Sequence, residues 1–279
     1  MVRTRPILDK ENFPMPMSLP ENAGPYLRKI FDGARWARDG SGTLRPSIAT
    51  EIESTLRFYD RQGRFERRLA RLRGNNRELL AELAEPRAGR FLCDHGFQIL
   101  EWEPPSKTGY PGDLLAQFGE SAAIFTEVKA PDWEGELTPE ERMGGRKQHG
   151  KFLHAEARAV GLALMPLQVV RDNALKKFSF DRPNLVVVVD NLFASPADAR
   201  GVMEWQVDEF FQDFRTRCLG GILFLNVDCP AGRAVRYISN FYENPEAVPY
   251  CRIPESAVRI LTACAERDAT LMSREWTAG

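Results

Sequence analysis

The sequence predicts an α/β protein, a single mixed β-sheet flanked by helices and preceded by a helical extension. Three observations predict it. Between residues 50 and 95 apolar residues recur at helical spacing, and from Phe97 to Ala130 the period changes to two in three short runs. The aliphatic run Leu185–Val189 is strand-sized and apolar on both faces, as at the centre of a mixed sheet.

Residues 1–48, rich in Pro and Gly, read as an irregular N-terminal arm, and residues 49–279 as one domain with a core near 78–190 and a C-terminal elaboration over 191–279. In the first helical stretch Phe58, Phe65, Leu69 and Leu72 share one face, and Arg57, Arg61, Arg64, Arg68 and Arg71 line another. Gly63 inside this pattern is a point for a break. A second helix begins near Asn76 and stops at Gly96, with Pro86 either starting a new helix or kinking a continuous one. Phe97–Trp102, Asp113–Phe118 and Ala122–Ala130 follow as strands of an antiparallel meander.

Residues 131–165 form a charged insertion in which Thr138-Pro139-Glu140-Glu141 has the form of a helix start. Leu167 to Phe178 is helical by period, and Leu185–Val189 is the central strand. Beyond it come a helix over Met203–Phe214, strands over Ile222–Val227 and Val235–Phe241, and a helix from Glu255 to about Glu266. The order through the middle is helix, three strands, helix, strand.

With 279 residues, 43% of them apolar and 28% charged, the chain is long enough to bury a core without disulfides or metal staples. The five cysteines are widely spaced without a C-x-x-C pair, which predicts free thiols in a cytoplasmic protein. Neither a signal peptide nor a membrane span is expected. Lys+Arg number 38 against 39 Asp+Glu, a net charge of -1, which excludes a uniformly basic coat protein. The charge is divided, however: residues 1–93 carry 18 cations against 12 anions, and the remainder 20 against 27.

The chemistry-bearing residues are Pro111-Gly112-Asp113 at the head of the second strand and Glu127-Val128-Lys129 on the third. Alternate strand residues share a face, so Glu127 and Lys129 point the same way, about 6.6 Å apart along the strand. Hairpin pairing would bring Asp113 beside Glu127. Two carboxylates and a lysine then form an oxygen-donor site suited to Mg²⁺ or Mn²⁺ and to a phosphate substrate.

On these residues the segment from about 78 to 190 resembles the PD-(D/E)xK nuclease superfamily, with its restriction-endonuclease-like α-β-β-β-α-β core. Asp113, Glu127 and Lys129 match the motif, with Pro-Gly-Asp standing where the family pattern has Pro-Asp. Many members carry a glutamate on the first core helix, and Glu85 lies at the matching spacing from Gly96, with Glu82 and Glu78 as alternatives. The resemblance implies metal-dependent hydrolysis of a phosphodiester, with Asp113, Glu127, the Val128 carbonyl and Glu85 holding Mg²⁺ and Lys129 acting on the attacking water. A residue on the helix after the third strand often reaches such a site, and Arg171, Asn173 and Lys177 are the candidates.

Nucleic acid is the expected partner, DNA in preference to RNA, with no nucleotide cofactor and no membrane. A symmetric double-strand cut would require a homodimer. The stripe Arg57, Arg61, Arg64, Arg68 and Arg71, extended by Arg87 and Arg90, is the expected phosphate-tracking face. The rival reading is a non-catalytic nucleic-acid-binding or assembly module with the same fold. Gly145–Lys151 has P-loop spacing but lacks the Ser or Thr that the motif needs, and His154-Ala155-Glu156 lacks the cysteine pair of a zinc deaminase.

Overall fold

The computed structural model describes residues 17–39, 43–130, 167–168, 170–190, 200–228 and 235–277. Helices α1 (Pro25–Phe31), α2 (Arg35–Asp39), α3 (Pro46–Arg61), α4 (Phe65–Leu72) and α5 (Asn76–Asp94) precede a six-stranded sheet. Its strands are β1 (Phe97–Trp102), β2 (Leu114–Phe118), β3 (Ile124–Lys129), β4 (Asn184–Asp190), β5 (Gly221–Asp228) and β6 (Arg236–Glu243), and they lie side by side in chain order. β1, β2 and β3 form an antiparallel meander, β4 runs parallel to both β3 and β5, and β6 closes the sheet antiparallel to β5. A π-helical turn (Val170–Ala174) leads into α6 (Leu175–Lys177) before β4. After β4 come α7 (Arg200–Phe211), a 3₁₀ turn (Phe214–Cys218) and, beyond β6, the long α8 (Glu255–Thr277).

The central run behaves as its composition requires. Leu185, Val187 and Val189 pack on one face with α5 and α8, through Ala84, Ala88, Phe91, Leu92, Ala257 and Leu261. Val186 and Val188 pack on the other, against Leu175, Phe178, Val207, Phe210 and Phe211. The sheet is therefore covered on both faces, as parallel strands demand. In the α7 region Phe210 and Phe211 are buried, whereas Trp205 and Phe214 face outward rather than joining them.

Residues 17–48 depart from an irregular arm. Leu27, Ile30, Ala34, Trp36, Ala37 and Leu44 are buried in a third apolar cluster with α3 and α5. Here Pro25 and Pro46 sit in the first turns of α1 and α3, where a missing N–H removes no helical bond. The residues that composition counts as breakers are helix starters. Gly63, at φ +68°, does break the arginine-rich stretch, separating α3 from α4.

Helix α5 carries a capping box: the Asn75 side chain accepts from the Glu78 amide at 2.9 Å, and the Glu78 carboxylate accepts from the Asn75 amide at 2.7 Å. It continues through Pro86, which settles the choice between a new helix and a continuous one. Gly96, at φ +87°, turns the chain from α5 into β1. A buried junction ties α3, α5 and β6 together. Arg87 donates to both oxygens of Glu51, at 3.0 and 2.6 Å, and Glu51 also accepts from Tyr237 at 2.6 Å and Thr55 at 2.9 Å. The expected helix start at Thr138–Glu141, the Gly145–Lys151 segment and His154–Glu156 lie outside the described residues.

Candidate active site

The β2–β3 ladder is short, pairing Leu114 with Thr126, Leu115 with Phe125 and Ala116 with Ile124. One step beyond its last pair stand Asp113 and Glu127, so the register places both on the same side of the sheet. There Asp113 Oδ2 accepts a 2.6 Å hydrogen bond from the Val128 amide, a backbone donor beyond the end of that ladder. Asp113 is thereby fixed to the strand that carries Glu127. Gly112 is required by the same geometry, because a Cβ at this position would lie 2.3 Å from the Phe125 ring. The extra glycine in Pro-Gly-Asp thus has a steric cause.

Lys129 Nζ lies 2.7 Å from Glu127 Oε2 and 3.8 Å from Asp113 Oδ2, binding both carboxylates at once. Glu127 is fully buried, and burial together with the Asp113 charge pushes its carboxyl above the usual range despite the lysines. Burial alone would lower Lys129. The Asp113 and Glu127 charges more than offset it and hold the ammonium above its ordinary value, so Lys129 carries its proton at neutral pH. Of the three candidates after β3, Lys177 reaches the site, 3.0 Å from Glu127 Oε2, and also donates to the Pro111 carbonyl at 2.8 Å. Arg171 instead pairs with Asp213 at 3.6 Å and lies over the Phe210 ring, while Asn173 is exposed.

Glu85 approaches from α5, which packs on the Val128 face of the sheet. Lys177 comes from the layer that covers Phe125. The two layers meet where β2 and β3 stop pairing. Burial first, and the Asp113 charge second, raise the Glu85 carboxyl to about 7. Its alternatives are otherwise engaged: Glu78 caps α5 and pairs with Arg35 at 2.7 Å, and Glu82 is bound by Arg71 at 2.9 Å and Arg68 at 3.4 Å.

Among the described residues no three His, Cys, Asp or Glu side chains are grouped closely enough to hold a metal ion outright. The donor chemistry nevertheless fits a hard cation. Glu127 Oε1 is a buried oxygen without a hydrogen-bond donor, and such an acceptor costs about 1–3 kcal/mol unless something electropositive meets it; Glu85 Oε2 also lacks a hydrogen bond, with the Arg68 guanidinium 3.5 Å away. Asp113 and Glu127 already converge, and every donor in the set is oxygen.

The expected arginine stripe is divided. Arg57 is exposed and pairs with Glu53 at 3.5 Å, Arg61 is exposed, and Arg71 keeps a largely exposed side chain. Arg64 and Arg68 turn inward to Glu103, each at 2.7 Å, and Arg68 also stands 3.5 Å from Glu85. Arg87 is fully buried on Glu51, which removes it from any nucleic-acid surface, and Arg90 pairs with Asp94 at 3.6 Å. The physical reason is the Gly63 break: α4 starts afresh and aims Arg64 and Arg68 at Glu103, just past β1, and Arg68 at the acidic groups of α5. Sequence periodicity offers no signal for that inward turn.

No family model and no curated protein matches the chain. Among solved structures it is similar to Pyrococcus furiosus SfsA in complex with Ca²⁺, at 15% identity and a TM-score of 0.25. The match covers 58% of this chain and 62% of that one. A likeness that slight bears on neither fold nor chemistry. No helix among the described residues is long and apolar enough to cross a membrane.

Proposed function

We propose that this chain hydrolyses phosphodiester bonds of nucleic acid with the help of a divalent cation, acting on DNA in preference to RNA, within a restriction-endonuclease-like core. The observation that carries the reading is the convergence of Asp113, Glu127 and Lys129 at the end of the β2–β3 ladder, with Glu127 Oε1 buried and lacking a donor. A fold that needed only a scaffold would gain nothing from two adjoining carboxylates, one of them fully buried. The element order from α5 through β1, β2, β3, α6 and β4 accords with the same reading.

Asp113, Glu127, Glu85 and the Val128 carbonyl are the groups that would hold Mg²⁺ or Mn²⁺. Once bound, the cation supplies Lewis-acid polarisation of the phosphodiester and of water. Lys129, as an ammonium, orients the attacking water and offsets charge that grows on the phosphorus oxygens. Lys177 shares the Glu127 carboxylate and places a second cation beside the same reacting group. A second reading, a binding module without catalysis, draws on Lys129 and Lys177 both lying on Glu127 Oε2 and neutralising it within the protein.

The test is incubation of single- and double-stranded DNA and RNA with purified protein, in Mg²⁺, in Mn²⁺ and in EDTA, for wild type and Lys129→Ala. Cleavage that needs the cation and is lost in the variant is expected. Cleavage that survives both EDTA and the substitution sinks the mechanism. Salt-sensitive binding without cleavage by wild type favours the binding module.

A further inference from the structure

Two exposed aromatic rings lie on the two segments that adjoin the proposed site. Tyr110 is 75% exposed and directly precedes Pro111, whose carbonyl accepts from Lys177. Phe180 is 54% exposed and stands three residues after Lys177, with the Lys107 ammonium 6.0 Å from its ring centroid. Contact between the Lys107 and Phe180 side chains brings the 105–112 segment against the 175–182 segment. Gly109, at φ +78°, and the Ser106 hydroxyl, which donates to the Tyr110 carbonyl, shape the turn that presents the tyrosine.

Charge complements the rings. Segments 105–112 and 175–182 together carry Lys107, Lys176, Lys177 and Arg182 against Asp181 alone. Arg182 pairs with Asp181 at 3.3 Å and lies over the Phe125 ring at 5.6 Å, while Lys107 and Lys176 are exposed. By contrast Arg64, Arg68 and Arg87, on the α3–α5 side, are bound to Glu51, Glu82, Glu85 and Glu103.

We propose that the Tyr110–Phe180 rim binds single-stranded nucleic acid, its rings stacking on unpaired bases while Lys107 and Lys176 meet the phosphates, and so delivers an unpaired strand to Asp113, Glu127 and Lys129. The proposal rests on the hydrolase reading of that site. Stacking on exposed aromatics is available to unpaired bases of any identity, whereas a duplex keeps its base faces covered. Contact therefore falls on the α6 side of the sheet and not along the arginine stripe.

Fluorescence anisotropy of the full chain in EDTA tests this without cleavage. The probes are a short labelled single-stranded DNA, its RNA equivalent, the matching duplex, and an abasic strand of equal phosphate number. Wild type is expected to bind the single strands more tightly than either the duplex or the abasic strand. Tyr110→Ala and Phe180→Ala should each weaken single-strand binding about tenfold or more. Tyr110→Trp should retain it and Tyr110→Leu should not, with unchanged thermal melting showing that the variants fold.

Equal affinity for duplex and single strand overturns the proposal, as does indifference to the aromatic substitutions or to base removal, or failure of wild type to bind any single strand. Wild type that binds single strands through the rings yet never cuts them in Mg²⁺ leaves the rim standing and removes the hydrolase reading. Cation-dependent cutting that ignores the rings does the reverse.

Discussion

At the residue scale, the two lysines around Glu127 are not equivalent. Lys129 binds both Glu127 and Asp113, whereas Lys177 binds Glu127 and a backbone carbonyl. On the hydrolase reading, Lys129→Ala removes the donor nearest to both carboxylates and should lower the single-turnover cleavage rate by about 10²–10³-fold. Lys177→Ala should lower it less. Equal losses, or none, would contradict this division of roles. Gly112→Ala drives a methyl into the Phe125 ring, which is packed edge-on against Phe178 at 5.9 Å between centroids. The expected outcome is a loss of about 1–3 kcal/mol in urea unfolding, with cleavage reduced as well because Asp113 is the next residue.

At the scale of elements, the buried Glu51–Arg87 pair joins α3 to α5, and Tyr237 links both to β6. Burial alone would raise the Glu51 carboxyl. The Arg87 charge, with hydrogen bonds from Arg87, Tyr237 and Thr55, more than offsets this and holds it below the usual range. Because the folded carboxyl is the more acidic, the unfolded chain binds more protons as pH falls. The pair's stabilisation is thus complete above an ordinary glutamate pKa of about 4.3 and is lost as pH drops through the lower folded value. Glu51→Gln strands the Arg87 charge and should cost about 3–5 kcal/mol at neutral pH, read by denaturant unfolding. The variant's stability should also vary less with pH below about 4.3 than that of wild type. The elements themselves were legible in the sequence where pattern is local: strand period located β1, β2 and β3, and the aliphatic run located β4. Residues 25–39 were not, because Pro and Gly at helix starts and turns look the same in composition as Pro and Gly in a loop.

At the scale of the whole molecule, the net charge of -1 conceals an N-terminal third with 18 cations against 12 anions. Tertiary packing spends part of that excess internally, since Arg64 is buried at 7% exposure and Arg87 at 0%. The outward cations beside the site, Lys107 and Lys176, come from beyond that third. The slope of log affinity for single-stranded DNA against log salt should accordingly fall by roughly 1 for each of Lys107→Ala and Lys176→Ala. Arg87→Ala should instead act through unfolding, with no change in slope for the fraction that stays folded.

The sequence by itself determined the α/β class, the succession of strands along the chain and the common face of Glu127 and Lys129, because these follow from alternation along a strand; the hairpin register that sets Asp113 beside them came with the fold. Only the tertiary structure decided which of Arg171, Asn173 and Lys177 reaches Glu127, that the Asp113 charge is felt at Glu85 while Glu82 and Glu78 are held by arginines, and that Arg64, Arg68 and Arg87 turn inward. Those outcomes depend on how α4, α5 and α6 are aimed across the sheet. Periodicity assigns a residue to a face of its own element, but the partner on that face is chosen by long-range packing.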